Sequence, residues 1–400
     1  MKRDRYGVVR LAGALLLPFG VWGCPGTIGG GGGNGGGVIN GATDGNRDTT
    51  LTSPAGKTSG EPNDSFGDPI IAVLNQNGVA ALQGTVSRKG DLDVFAIGPM
   101  NAGDRLVVDV NTTGSVLDSS VGIFDAQGRL AYENDDRGGS EDRFLDSFID
   151  FTVRRSSDEY YMVVTNAAFA DPADKAGSYL VDVTITRGSV VPGTKAQVLF
   201  LDFEGGQITS PVLGPQTLLP FDAADIHDPG SFSRPYVGQT EALKQSIVET
   251  VVQNFERFDV DVVSSDDPPI PAGVEFSTVY IGGFNARAFG EAESVDLYNA
   301  DYCDDAIIYA ESFVPGIFSV PPSVQQLGVA IGNVTAHEAG HLLGLNHVDD
   351  DTALMDDRSA ADAFLDDQEF KNADLSSDIM TIGTQDAALL LDETVGPSAF

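Results

Sequence analysis

The chain is 400 residues long and 42% hydrophobic, with 23 basic against 59 acidic side chains and a formal charge of −36. Its length suits two or three domains of roughly 150 residues each, and its hydrophobic content is enough for packed cores. So negative a surface repels phosphate backbones and anionic lipid, which argues against nucleic-acid binding. It suits solubility in a salty or extracellular setting, and carboxylates are also what calcium sites are built from.

Lys2, Arg3, Arg5 and Arg10 accompany the apolar run LAGALLLPFGVWG, too short to span a bilayer, so residues 1–24 read as an export signal. The residues VWGC resemble a bacterial lipobox, with Val21 and Gly23 fitting and Trp22 bulky for its slot. That resemblance implies lipidation of Cys24 and a lipid-anchored protein of a bacterial cell envelope. The alternative is ordinary signal cleavage, an extracellular protein and an incidental Cys24. Residues 25–60 are a glycine-rich tether without core-forming residues. The one other cysteine, Cys303, is flanked by Asp301, Asp304 and Asp305, which disfavour its thiolate. With Cys24 lipidated, no intramolecular disulfide is expected and Cys303 reads as a structural residue.

Residues 61–187 carry a β pattern. SYLVDVTIT puts Tyr179, Val181, Val183 and Ile185 on one face, and DRLVVDVNT alternates through Leu106, Val108 and Val110. Turn signals such as DAQG and NDDRGGSED separate the runs, so the region reads as an antiparallel sandwich. It contains no histidine. EPNDSFGDP, GTVSRKGDLDVFAI, AGDRLVVDV, SSVGIFDAQGRL and AGSYLVDVTI, in that order, resemble the bacterial pre-peptidase C-terminal domain. The resemblance implies a jelly-roll-like all-β fold that can bind calcium or a substrate surface, with Asp91 and Asp93 as candidates against solvated loop carboxylates. In that family the domain usually follows the enzyme; here it precedes it.

Residues 188–194 make a linker, and from residue 195 to 400 the pattern turns to mixed α and β. AQVLFLDFEGG reads as a strand ending at a glycine pair. TEALKQSIVETVVQNFERF is an amphipathic helix with a stripe of Leu243, Ile247, Val251 and Phe255, widened by Val248 and Val252. DVDVVSS, GVEFSTVYIGG and DAIIYAESF follow as strands. PSVQQLGVAIGNVTAHEAGHLLG is a long helix opened by Pro322 and closed near Gly344, and TQDAALLLDETVG is a final helix. Sheet and helices together predict an α+β domain after the β-sandwich.

Three of the four histidines fall within TAHEAGHLLGLNHVDDDTALM. On a helix His337 and His341 point about 40° apart on one face, so both reach one metal ion. Glu338 projects beside the ion, where a water-activating base belongs. Gly344 can take positive φ and turn the chain so that His347 returns as a third ligand, which leaves a fourth position for water, as in catalytic zinc sites. His227 stands far upstream in AADIHDPG and reads as a loop residue.

This stretch resembles the metzincin zinc metallopeptidases, closest to the matrixin branch, through HExxHxxGxxH and through Met355 in TALM. The resemblance implies a methionine turn at Met355 packing under the imidazoles, with Met380 as the alternative, and an exposed edge at AIIYAESF that aligns an extended substrate, against an ordinary buried strand. Matrixins usually follow the methionine with Tyr-Pro; here the acidic MDDRSAADAFLDDQEF follows, so the specificity pocket is not inferred. No tyrosine occurs after Tyr309 to serve as a further ligand, and no cysteine stands in a propeptide position. Asp349, Asp350 and Asp351 are candidates to hold calcium or to orient His347, against a solvated loop.

The expectation is thus one catalytic zinc, with calcium as a further candidate, and hydrolysis of a protein or peptide substrate with Glu338 as general base. Two other readings stay open: a catalytically silent zinc-binding adhesin, and a zinc hydrolase of a non-peptide substrate. Oligomeric state is not readable.

Overall fold

The computed structural model describes residues 62–112, 114–137, 145–170, 172–210, 213–357 and 360–398. The export signal, Cys24 and the tether lie outside these. Among the described residues no helix is long and apolar enough to cross a membrane.

The first half is a β-sandwich. One sheet has the order Ile70–Ile71, Asp93–Met100, Ser157–Asn166, Ser119–Asp125, Leu130–Asn134; the other has Val79–Val86, Gly177–Thr186, Arg105–Asn111, Phe148–Thr152. All pairings are antiparallel except the short first one. The expected alternation sets the register: Leu106 stands opposite Ile185, Val108 opposite Val183 and Val110 opposite Val181. These six side chains are buried in the core between the sheets, whereas Leu180, on the opposite face, is exposed. Residues 188–194 follow without regular structure, mostly exposed.

The second half is built on a five-stranded sheet in the order Val260–Ser264, Gln197–Asp202, Ser277–Ile281, Asp305–Ile308, Gly290–Ala292. The first four strands run parallel and Gly290–Ala292 turns back antiparallel at the edge. AIIYAESF is therefore not the exposed edge strand that the resemblance implies but the buried strand that was its alternative. Its strand portion, Asp305–Ile308, is interior, and the edge is GEA, too short and too poor in β-branched residues to be read as a strand. Parallel strands need helical crossovers, and helix α1 (Thr240–Phe255) supplies one. Its stripe Leu243, Ile247, Val251 and Phe255 is buried, but Val252 points to solvent, so the apolar stripe is narrower than expected.

Helix α2 (Val324–Leu342) packs on α1 and carries two of the clustered histidines. Ser323, not Pro322, opens it. The Ser323 hydroxyl accepts from the Gln326 N–H and the Gln326 side chain accepts from the Ser323 N–H, a reciprocal cap. The last helix, α3 (Ala387–Thr394), is shorter than expected because Thr384–Asp386 forms a strand with Asn372–Asp374, and Asp386 caps α3 through the Leu389 N–H.

Candidate metal centre

α2 ends in a turn dictated by one residue. Gly344 has φ +92°, the Gly344 N–H donates to His341 O and the Leu345 N–H to Gly340 O, a paired closure of the last helical turn. A side chain at Gly344 would meet the backbone of Asp296, Leu297 and Tyr298 at 2.9 Å. Glycine is thus required both for the left-handed turn and for the close approach. Beyond it the chain reverses and brings His347 back to α2.

The three rings converge. His341 Nε2 stands 3.1 Å from His337 Nε2 and 3.1 Å from His347 Nε2, and the three ligand atoms lie within 4.8 Å of one another. His337 Nδ1 is 2.6 Å from Leu354 O and His341 Nδ1 is 2.6 Å from Leu345 O. A carbonyl only accepts, so both Nδ1 atoms carry the proton and both Nε2 lone pairs face inward. Burial, with the neighbouring His347, pushes His337 down to about 3; burial and His337 hold His341 well below the ordinary histidine range. These imidazoles are neutral at physiological pH, the form that binds metal.

Such a donor set fits zinc. Ligands at about 2.0–2.1 Å in a tetrahedron stand roughly 3.3 Å apart, close to the observed spacing. Among the described residues this is the only cluster of histidine, cysteine or carboxylate groups that could hold a metal ion. His227 takes no part; its Nδ1 contacts Asp228 O.

Glu338 is fully buried and lies against the sheet edge, where a Cβ on Gly290 would meet Glu338 Oε1 at 2.5 Å. Met355 is buried beneath α2, its Sδ 2.7 Å from where a Cβ on Gly340 would stand. The alternative methionine, Met380, packs instead in a cluster with Phe124, Leu130 and Val163 of the sandwich.

The acidic candidates separate. Asp350 pairs with Lys371 at 2.8 Å and caps its own turn through the Thr352 N–H, and these bonds hold its carboxyl down to about 2. Asp349 and Asp351 are exposed. Asp357 stands near His347: its Oδ2 is 4.0 Å from Nδ1 and accepts from Ser376 Oγ. Its position two residues past Met355 was the available signal. In the sandwich, Asp93 accepts from Asn63 Nδ2 and Tyr179 Oη, and Asp91 accepts from the Ser87 N–H. Both are buried and serve the sandwich's own donors.

Two features had no sequence signal. Gln385 grips Asn346, the residue before His347: its Oε1 accepts from the Asn346 N–H at 2.7 Å and its Nε2 donates to Asn346 O at 2.6 Å. Cys303 is disulfide-bonded rather than a reduced structural residue.

Residues 252–376 match the matrixin family. This part of the chain is a zinc metallopeptidase domain. No curated protein matches the chain. Solved structures show slight likeness, among them the following three. Archaemetzincin from Methanopyrus kandleri is 12% identical over 43% of this chain and 92% of its own, with a TM-score of 0.24. The pre-peptidase C-terminal domain of collagenase from Bacillus anthracis is 18% identical over 29% and 92%, with a TM-score of 0.20. A periplasmic inhibitor of g-type lysozyme from Aeromonas hydrophila is 12% identical over 30% and 96%, with a TM-score of 0.23. Likenesses this slight fix neither fold nor function.

Proposed function

We propose that this chain is an exported zinc endopeptidase of matrixin type that hydrolyses peptide bonds with Glu338 as general base. The observation that carries the proposal is the convergence of three imidazole Nε2 atoms, two of them with the opposite nitrogen tied to a backbone carbonyl. The matrixin match over the same residues supports it.

His337, His341 and His347 would hold the ion, and zinc held there would supply Lewis-acid chemistry, lowering a bound water's pKa to about 7. Glu338 takes a proton from the attacking water and delivers it to the leaving amine. Burial against Gly290 restricts the rotamers of Glu338, so the carboxylate is held in place before substrate arrives. The edge strand Gly290–Ala292 lies beside Glu338 and is itself buried, so it serves as a wall of the site. Met355 supports the floor of the site by packing. Export by residues 1–24, with or without a lipid on Cys24, completes the proposal; mass spectrometry of the mature N-terminus decides between a lipid and a free or disulfide-bonded sulfur.

A casein or gelatin digest with wild type and Glu338→Gln tests the chemistry. The variant is expected to keep its zinc and lose activity by about 100-fold or more. Equal digestion by both would rule out general-base catalysis by Glu338. A zinc-loaded wild type inert toward every peptide, but retained on a surface, would favour the adhesin reading.

A further inference from the structure

The linker at residues 188–194 suggests two independent modules, yet the two halves share a core. Phe124, Leu130 and Val163 of the sandwich pack with Leu375 and Met380 of the second half. Gly383 comes so close that a Cβ there would stand 2.3 Å from the Phe124 ring. Around this patch Arg155 Nη1 bonds Glu393 Oε2 at 2.9 Å, and Arg154 Nη1 bonds Glu393 O at 2.6 Å.

Two routes lead from this interface to the turn that presents His347. On the first, Tyr298 donates its hydroxyl to Ala131 O in the sandwich at 2.7 Å, and the Arg154 guanidinium lies 4.3 Å over its ring. Tyr298 and Asn299 have φ of 63° and 51°, a left-handed conformation that costs a non-glycine residue energy and persists only where surroundings hold it. The same loop supports the bend after α2. The Asp296 N–H donates to His341 O at 3.0 Å, and the backbone of residues 296–298 touches Gly344. On the second route, the Thr384 N–H donates to Gly128 O of the sandwich at 2.9 Å, and the next residue, Gln385, clamps Asn346.

We propose that the sandwich is a positioning element of the metal centre: through Tyr298 and Gln385 it fixes the turn Gly344–Asn346 and so holds His347 where the third ligand must stand. This deepens the function proposed above and rests on it only for the identity of the metal. Ligand turns fixed by outer contacts bind metal more tightly, and removing such contacts typically costs about 10–100-fold in affinity.

The test uses the full chain and reads zinc affinity by chelator competition, with the visible spectrum of the cobalt(II)-substituted protein as a report on ligand geometry. Arg154→Ala removes the guanidinium over Tyr298 and the bond to Glu393, far from any ligand. Gln385→Met keeps the volume and removes both bonds to Asn346. Each is expected to weaken zinc binding by about 10-fold or more and to shift the cobalt spectrum. Arg154→Lys should restore part of the loss, and Arg105→Ala, on the far sheet of the sandwich, should leave both readouts unchanged. If Gln385→Met fails to fold, Tyr298→Phe probes the other route with the loss of one hydroxyl. Affinity and spectrum in Arg154→Ala within twofold of wild type overturn the proposal, whatever Gln385→Met does. A wild type that binds zinc but cleaves no peptide fails the function above while leaving this test intact; a wild type that binds no zinc overturns both.

Discussion

Met355 lies directly beneath Gly340, its sulfur 2.7 Å from the point a Cβ would occupy one residue before His341. The methionine and the helix backbone are in contact, with no space for even a methyl group between them. Gly340→Ala should therefore tilt α2 or displace Met355, at a cost of about 1–3 kcal/mol and with weaker zinc binding. Denaturant unfolding and chelator competition measure the two effects. Wild-type values for both would mean that Met355 moves aside freely.

Gly290 and Glu338 stand in the same relation on the other side of the site. Gly290→Ala puts a methyl group at 2.5 Å from Glu338 Oε1 and 2.6 Å from its Cγ, so the carboxylate must turn away. The expected result is a fall in kcat of about 10-fold or more with zinc content unchanged, since displacing a positioned group costs rate rather than metal. Steady-state kinetics on a quenched peptide together with metal analysis check it.

Burial, with the Glu293 charge, pushes the Asp305 carboxyl up to about 7, well above its unfolded range near 3.8. A raised carboxyl binds its proton more tightly when folded, so its contribution to stability falls as pH rises from about 4 to about 7. Asp305→Asn removes this penalty: it should raise stability at pH 8 by roughly 1–2 kcal/mol and change little at pH 4. Thermal unfolding at the two pH values is the measurement; an equal effect at both would exclude the titration as its cause.

Removing the metal should cost stability as well as activity. Only the folded chain brings the three imidazoles together, so free zinc at a thousand times its Kd adds about 4 kcal/mol of stability. Scanning calorimetry with and without chelator should show a lower Tm without metal, recovered on adding zinc. A Tm indifferent to chelator would contradict a preformed site.

The donors of the site were legible in the sequence because the helical period and one glycine place them. His337 and His341 share a helix face by spacing alone, and Gly344 announced the bend that returns His347. Strands with clean alternation, such as Gly177–Thr186 and Arg105–Asn111, were equally readable, because each half-buried residue records its face. What escaped was set by contacts distant in sequence. The edge strand GEA is defined by its pairing with Asp305–Ile308, not by its own composition. Gln385 on Asn346, from 39 residues away, is a product of tertiary packing with no local pattern. Asp350, a candidate to hold calcium or orient His347 against a solvated loop, is the partner of Lys371, a pairing that spacing cannot reveal.

The approach of Gly383 to Phe124, and of Gly122 to Met380 across the same seam, constrains how this architecture can be rebuilt. A foreign sandwich grafted in front of the peptidase would need a side-chain-free spot where Gly122 meets Met380 and a side chain shaped to lie over Gly383 where Phe124 does. Recombination that moves the halves as a single cassette preserves the fit; exchange at residues 188–194, the obvious place to cut, does not.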